Sequence, residues 1–251
     1  YTREDALDGL GRWHLQDELI RVQALALGRG EAIAVARTDR LDRIRRRGDL
    51  APGAFGEALA EELAAPMDDL FDRYQAALGR WPYAIGEEEA IRFQAEVAGQ
   101  VPEVADWLGG IRVDEAGERG RVVLETSDLV KDSHYRGDML IRHWVAHLAG
   151  HLAGGPLTTQ VISMMGDVEL KPLALAQAQE HLADILVAWR EGMRRPLPLA
   201  AKSAFAWLKA GDASAALKVY EGGFNQKGEV ETDPYLARAY PDFAALTASG
   251  E

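Results

Sequence analysis

Apolar residues recur at Leu7, Leu10, Trp13, Leu15, Leu19, Val22 and Leu25, mostly at helical spacing, and the pattern stops at Gly28 and Gly30. One long helix over residues 4–28 is expected. A second helical segment, AIAVARTDRLDRIRRRGD, runs into GDLAPGAFGEA, where Gly48, Pro52, Gly53 and Gly56 mark a structured loop. A helix over 57–79 follows, and Pro66 splits or kinks it. From Trp81 onward the texture changes. EAIRFQAEV, EVADWLGGIRVDE and GRVVLETSD alternate or carry β-branched residues between Gly- and Pro-bearing turns, which predicts an antiparallel meander. The segment IRHWVAHLAGHLAGG, residues 141–155, returns to helical spacing, and a short strand pair is expected around QVISMMGDVELKPL. A helix over 174–193 has Leu182, Ile185, Leu186 and Trp189 on one side and ends at RRPLPL. Another helix starts near Ser203, and GGFNQKGEVETDPYLARAYPD reads as a loop-rich extension.

No internal repeat or low-complexity linker divides the chain, so one domain over 1–251 is expected. It comprises a helical part over 1–80, an α/β core over 81–210 and an extension over 211–251. With 47% hydrophobic and 27% charged residues the composition is that of a soluble globular protein, and no apolar run is long enough for a bilayer. The opening YTREDALDGLGRW lacks the basic start and apolar block of a secretory signal, which points to the cytoplasm. Zero cysteines exclude disulfides, thiolate zinc sites, iron–sulfur clusters and cysteine nucleophiles. A net charge of −12 is the reverse of the basic field by which a domain binds DNA on its own, so any DNA contact must be local.

Five strings carry a family resemblance. ALDGLGRWHLQDEL near the start, RRRGDLAPGAFGEAL at 45–59, PLALAQAQEHLADILVAWREGM at 172–193, AFAWL at 204–208 and YEGG at 220–223 occur in order across nearly the whole chain. Together they resemble the C-terminal region of RecC, the gamma chain of exodeoxyribonuclease V. The resemblance implies a PD-(D/E)xK nuclease-like α/β fold, with a mainly antiparallel or mixed central sheet flanked by helices, that has lost its nuclease centre. It implies a place in the RecBCD helicase–nuclease, which processes double-strand breaks for recombination. There the region helps to split incoming duplex and supports assembly, so RecB-like and RecD-like subunits are the implied partners, with DNA met through the assembled complex and no cofactor in this domain. Members of the family continue past the point where LTASGE ends this chain, so the extension is expected to be truncated.

The residues bear on whether that centre is dead. A PD-(D/E)xK site needs an acid on one strand and Glu-x-Lys or Asp-x-Lys on the next, because two carboxylates hold Mg²⁺ and the lysine supports the attacking water. On the expected strands Arg112 stands about where the first acid belongs, with Asp114 near it. Glu125 is present on the second strand, but Ser127 occupies the lysine's place. A formal Glu-x-Lys at Glu169 and Lys171 follows the histidine segment, between Gly166 and Pro172, and reads as the solvated face of a hairpin.

Histidines 143, 147 and 151 climb one helix face, since four-residue steps place successive side chains roughly 40° apart. Relative to Ile141, the apolar residues Val145, Leu148 and Leu152 fall within about 40°, whereas the histidines lie between roughly 200° and 280°. The expectation is that His143, His147 and His151 face away from the core. Trp144 stands where His-Glu-x-x-His would place its glutamate, so a zinc-protease motif is not formed. Zinc is no part of what the family resemblance implies.

The chain also lacks a P-loop and a Gly-x-Ser-x-Gly elbow. Arg43, Arg45, Arg46 and Arg47 form the best local candidate for a phosphate or acidic partner, against a reading as the solvated C-terminal end of a helix. Trp81, Tyr83, Trp107, Trp189 and Trp207 read as core or interface anchors. In the tail, Tyr220, Phe224, Tyr235 and Tyr240 recur as if each filled a pocket, either in the same domain or, as proposed for Tyr235 and Tyr240, in a partner. Two functions follow. The first is a noncatalytic assembly and DNA-handling domain. The second is a metal-dependent phosphodiesterase that retains Asp114 and Glu125 or uses the three histidines.

Overall fold

A computed structural model describes residues 7–86, 88–96, 99 and 101–248. The expected first turn at residues 4–6, Val97 of the first predicted strand and the last three residues of LTASGE lie outside these.

In chain order the elements are α1 (Gly9–Gly28), α2 (Ile33–Arg47), α3 (Ala54–Ala64), α4 (Met67–Arg80), β1 (Tyr83–Ala84), β2 (Glu89–Gln94), β3 (Glu103–Leu108), β4 (Ile111–Val113) and β5 (Arg119–Glu125). Then come β6 (Val130–Lys131), β7 (His134–Tyr135), α5 (Gly137–Gly154), β8 (Leu157–Ser163), β9 (Asp167–Leu170), α6 (Leu175–Gly192), α7 (Ala201–Ala210) and α8 (Ala213–Glu221). The last part holds β10 (Gly222–Gly223), β11 (Gln226–Lys227), α9 (Glu229–Thr232), α10 (Pro234–Ala239) and α11 (Phe243–Ala248). The described residues form two compact units, one within 1–87, 110–135 and 157–171 and the other within 88–109, 136–156 and 172–251.

The first unit places α1–α4 against a five-stranded mixed sheet of order β1-β4-β5-β8-β9. Asp8 opens α1 by accepting the Gly11 N–H at 2.6 Å, and Leu15, Leu19, Ile20 and Ala26 form its buried stripe. Gly48, at φ +81°, closes α2 in the left-handed region that glycine adopts without a Cβ penalty. Pro66 separates α3 from α4, as its missing N–H requires. Gly56 is dictated by contact: a Cβ there would lie 1.7 Å from the Ala51 carbonyl oxygen. The helices share one core with Val122 and Leu124 of β5 and Ile162 of β8.

The expected antiparallel meander is only partly present. Strands β4 and β5 are antiparallel, with Ile111 opposite Arg121 and Val113 opposite Arg119. The other neighbour of β5 is β8, which runs parallel, pairing Leu124 with Ile162 and Glu125 with Ser163. Such a pair needs a long crossover, and α5 lies within that connection. Strands β2 and β3 do not continue into this sheet but form their own antiparallel hairpin, from Glu89 opposite Leu108 to Gln94 opposite Glu103. The GG turn at 109–110 follows β3 as predicted, yet it redirects the chain instead of returning it as a neighbouring strand.

In the second unit α5 packs on α6, on α7 and on the β2–β3 hairpin. The tail is largely helical, contrary to the loop-rich expectation. Asp212 caps α8 at the Ser214 N–H, and Asp233 caps α10 at the Tyr235 and Leu236 N–H groups. Helices this short carry one or two inward residues each, too few for a periodic stripe to show in sequence. Their inward residues, Ala200, Tyr220, Val230, Tyr240 and Leu246, build a separate small core.

Candidate functional site

The positions where a nuclease centre would lie are kept apart by the β4–β5 register. Arg112 pairs with Gly120, and its guanidinium donates to the carbonyls of Trp81 and Pro82, both at 2.5 Å. It therefore binds the chain between α4 and β1. Asp114 accepts the Ala116 and Glu118 N–H groups at 2.9 and 2.8 Å, as the turn residue of the β4–β5 hairpin. Glu125 sits at the far end of β5, only 1% exposed. Glu118 and Glu125 are seven strand steps apart, about 23 Å at strand rise. Because directly opposed residues share a face and faces alternate, Asp114 and Glu125 also fall on opposite faces of the sheet. The pair weighed as a retained metal site thus does not converge.

Glu125 instead accepts the Ser127 N–H at 2.8 Å, within a polar cluster at the end of β5. The Ser127 hydroxyl accepts from the Trp13 indole at 3.2 Å, and the Thr126 hydroxyl donates to Asp17 at 2.8 Å. These two contacts fasten the strand end to α1. On β8 the Ser163 hydroxyl donates to the Gly166 carbonyl and accepts the Leu129 N–H. The Glu-x-Lys decoy is a surface feature: Glu169 pairs with Arg80 at 2.6 Å. Burial opposes the charge of Arg73, but its bonds to Asp167 and Asp69 prevail and hold its pKa above the ordinary value.

The histidine face is inverted relative to expectation. His143, His147 and His151 are all buried, whereas Ile141 is 45% exposed. Partners explain this. His151 Nε2 accepts the Leu173 N–H at 2.9 Å, and Nδ1 lies 2.8 Å from the His147 carbonyl, so the ring is a neutral Nδ1–H tautomer with both nitrogens engaged. The His147 ring packs edge-on to His151 at 4.6 Å and stacks on Trp144 at 5.6 Å. Among the described residues no group of three or more His, Asp or Glu side chains is placed to hold a metal ion.

The arginine run divides by partner. Arg47 bonds to Glu18 on α1 and to Asp49, and Arg45 pairs with Asp42. Arg43 and Arg46 are exposed and form no ion pair among the described residues. Glu18 accepts from Arg47 and Arg40 together, and these bonds, Arg47 first, hold its carboxyl below the ordinary range against the opposing effect of burial. In the tail, Tyr240 is buried, donating to the Pro196 carbonyl at 2.7 Å and accepting the Tyr220 hydroxyl at its own carbonyl at 2.6 Å. Tyr240 is thus a core staple, not the surface anchor proposed for it. Tyr235 is 83% exposed and Phe224 fully so.

A family model for the RecC C-terminal domain matches residues 4–212. The chain belongs to the RecC C-terminal domain family. RecBCD enzyme subunit RecC of Escherichia coli strain K12 is 27% identical over 213 residues, which is 83% of this chain and 16% of that protein. The chain therefore spans about one sixth of that relative's length. A solved structure of SSO0001 covers 59% of this chain and 70% of its own at 16% identity, with a TM-score of 0.29, and carries no argument about the fold.

Sequence reasoning missed several residues that organise this RecC-type chain. Asp17 and Trp13, which grip the end of β5, look in sequence like one more acid and one more apolar position of a surface helix. Glu229 accepts the Lys202 and Ser203 N–H groups and the Ser203 hydroxyl, so it caps α7 from 26 residues away. No local signal marks a cap supplied from that distance. Among the described residues no helix is long and apolar enough to cross a membrane.

Proposed function

We propose that this chain is a noncatalytic module of a RecC-like subunit in a cytoplasmic RecBCD-type helicase–nuclease acting in double-strand-break repair. In this reading it supports assembly with RecB-like and RecD-like subunits and helps to handle duplex DNA, needing no metal or cofactor of its own. Family membership supports the setting. The observation that carries the noncatalytic reading is the β4–β5 register, which leaves Asp114 and Glu125 about 23 Å apart on opposite faces. A metal-dependent phosphodiesterase needs those acids, or the histidines, to meet, and His151 has both nitrogens committed.

A PD-(D/E)xK-like ancestry is part of the same proposal. What supports it is the mixed central sheet, in which an antiparallel pair is followed by a helical crossover to a parallel strand in β4-β5-α5-β8, since the family resemblance implies a mainly antiparallel or mixed sheet flanked by helices. The assembly role is tested in the whole subunit. A RecC-like subunit lacking the region that corresponds to this chain should lose co-purification with its RecD-like partner, whereas the intact subunit retains it. Undiminished assembly without the region would remove the proposed role.

A further inference from the structure

One face of α7 runs from its N-cap Ala200 through Ser203 and Ala204 to Trp207, at the i, i+3, i+4, i+7 spacing of a helix, and only its last residue is large. Ala216 of α8 and Phe243 and Leu246 of α11 bound the same space. Side chains as short as these alanines do not close the gap between the three helices, and a cavity of about 330 Å³ remains, within the second unit. Its floor is closed and its mouth is apolar: Ala200, Ser203, Ala216 and Leu246 are buried, whereas Leu199 and Trp207 at the opening are 60% and 53% exposed. The walls are positioned by the chain itself. The Phe243 ring lies 6.1 Å from that of Tyr220, and its N–H donates to Glu221 at 3.0 Å. The Leu199 N–H donates to the Leu197 carbonyl at 2.8 Å, a γ-turn centred on Pro198.

The lining carries three polar side-chain groups, and two are already engaged. The Ser203 hydroxyl donates to Glu229 at 2.8 Å, and the Thr247 hydroxyl donates to the Phe243 carbonyl at 3.0 Å. The Trp207 indole N–H forms no hydrogen bond among the described residues. Water needs two to four polar partners in such a place, so the cavity favours an apolar occupant. Its size sets how large that occupant is. An apolar cavity of roughly 150 Å³ holds one benzene ring, and about twice that volume suits two fused rings. A purine has the same size but brings more ring nitrogens than a single indole N–H can meet.

We propose that the cavity between α7, α8 and α11 binds a small molecule with an apolar bicyclic aromatic body. The ring system sits on the Ala200, Ala204 and Ala216 floor with Trp207 and Phe243 as its walls, the mostly apolar, preformed concavity that small ligands occupy. A free molecule suits the site better than a side chain tethered to a partner. A peptide backbone crossing the mouth would set its N–H and C=O groups against the side chains of Leu199 and Trp207, which offer it one donor and no acceptor.

The probe is 1-anilinonaphthalene-8-sulfonate, titrated into the 251-residue chain by fluorescence. One saturable site with a Kd on the order of 10⁻⁵ M is expected. 2-Naphthol should displace the dye and adenosine should not. Ala204→Leu places a good helix former in the cavity and should weaken dye binding by about tenfold or more. Trp207→Ala removes a half-exposed wall and should weaken it by about fivefold or more, and it decides the matter if circular dichroism shows Ala204→Leu to be unfolded. No enhancement, enhancement that never saturates, undiminished binding in a folded variant, or displacement by adenosine would each overturn the proposal. So would tighter binding of a peptide with one tryptophan among glycines and serines, because the cavity would then receive a partner's side chain.

Discussion

At the scale of single residues, polar atoms decide what a hydropathy pattern cannot. His151 is buried because the Leu173 N–H and the His147 carbonyl complete both of its nitrogens, so the ring enters the interior as a satisfied group. Replacing it with leucine keeps the volume but orphans the Leu173 N–H, and His151→Leu should lower stability by about 2 kcal/mol in urea denaturation. A change under about 0.5 kcal/mol would show that this bond carries little. The two tail tyrosines make a sharper contrast. Tyr240→Ala should cost about 3–5 kcal/mol, since it opens a cavity in the small core and leaves the Pro196 carbonyl without its donor. Tyr235→Ala, at an exposed position, should stay within about 0.5 kcal/mol of the parent in the same measurement.

At the scale of elements, the α1–α2 pair is held by a charge cluster at its open end. Arg47 and Arg40 depress the Glu18 pKa, so the stabilisation from this carboxylate is present above its unfolded value of about 4.3 and is lost as pH falls through the lower folded value. Arg47 is 47% exposed, which limits the contribution to about 1 kcal/mol after solvent screening. Glu18→Gln should therefore unfold at lower urea than the parent at pH 7, and the gap should narrow as the pH is lowered from about 4.3. A gap that stays the same size throughout would mean that Glu18 acts through packing.

Long helices were the most legible elements. The stripe of α1, the proline break between α3 and α4, the C-terminal limit of α5 and both limits of α6 follow from period, glycine and proline, all local signals, whereas α5 starts at Gly137, ahead of the 141–155 segment. Strand partners were not legible, because the alternation in EVADWLGGIRVDE is the same whether β3 and β4 pair together or join different sheets. The direction of α5 was misread for a related reason. Its wheel counts histidine as polar, yet its buried face is built from His143, His147 and His151 with Leu148. The nuclease positions show both outcomes: the missing lysine at Ser127 is visible in sequence, but the separation of Asp114 from Glu125 depends on a register that only the fold defines.

At the scale of the whole molecule, net charge governs contact with DNA. A chain at −12 releases few counterions from a duplex and is repelled at long range, so the free domain should bind duplex DNA no tighter than the order of 10⁻⁵ M at physiological salt. Fluorescence anisotropy giving a nanomolar Kd would contradict this. The central claim, that a RecC-type fold persists here without its nuclease chemistry, is tested most directly by incubating the chain with linear single- and double-stranded DNA in Mg²⁺ and in Mn²⁺. The expected result is intact DNA over hours at micromolar protein, for the parent and for Glu125→Gln alike. Cleavage by the parent that disappears in Glu125→Gln, with the fold of the variant confirmed by circular dichroism, would contradict the account.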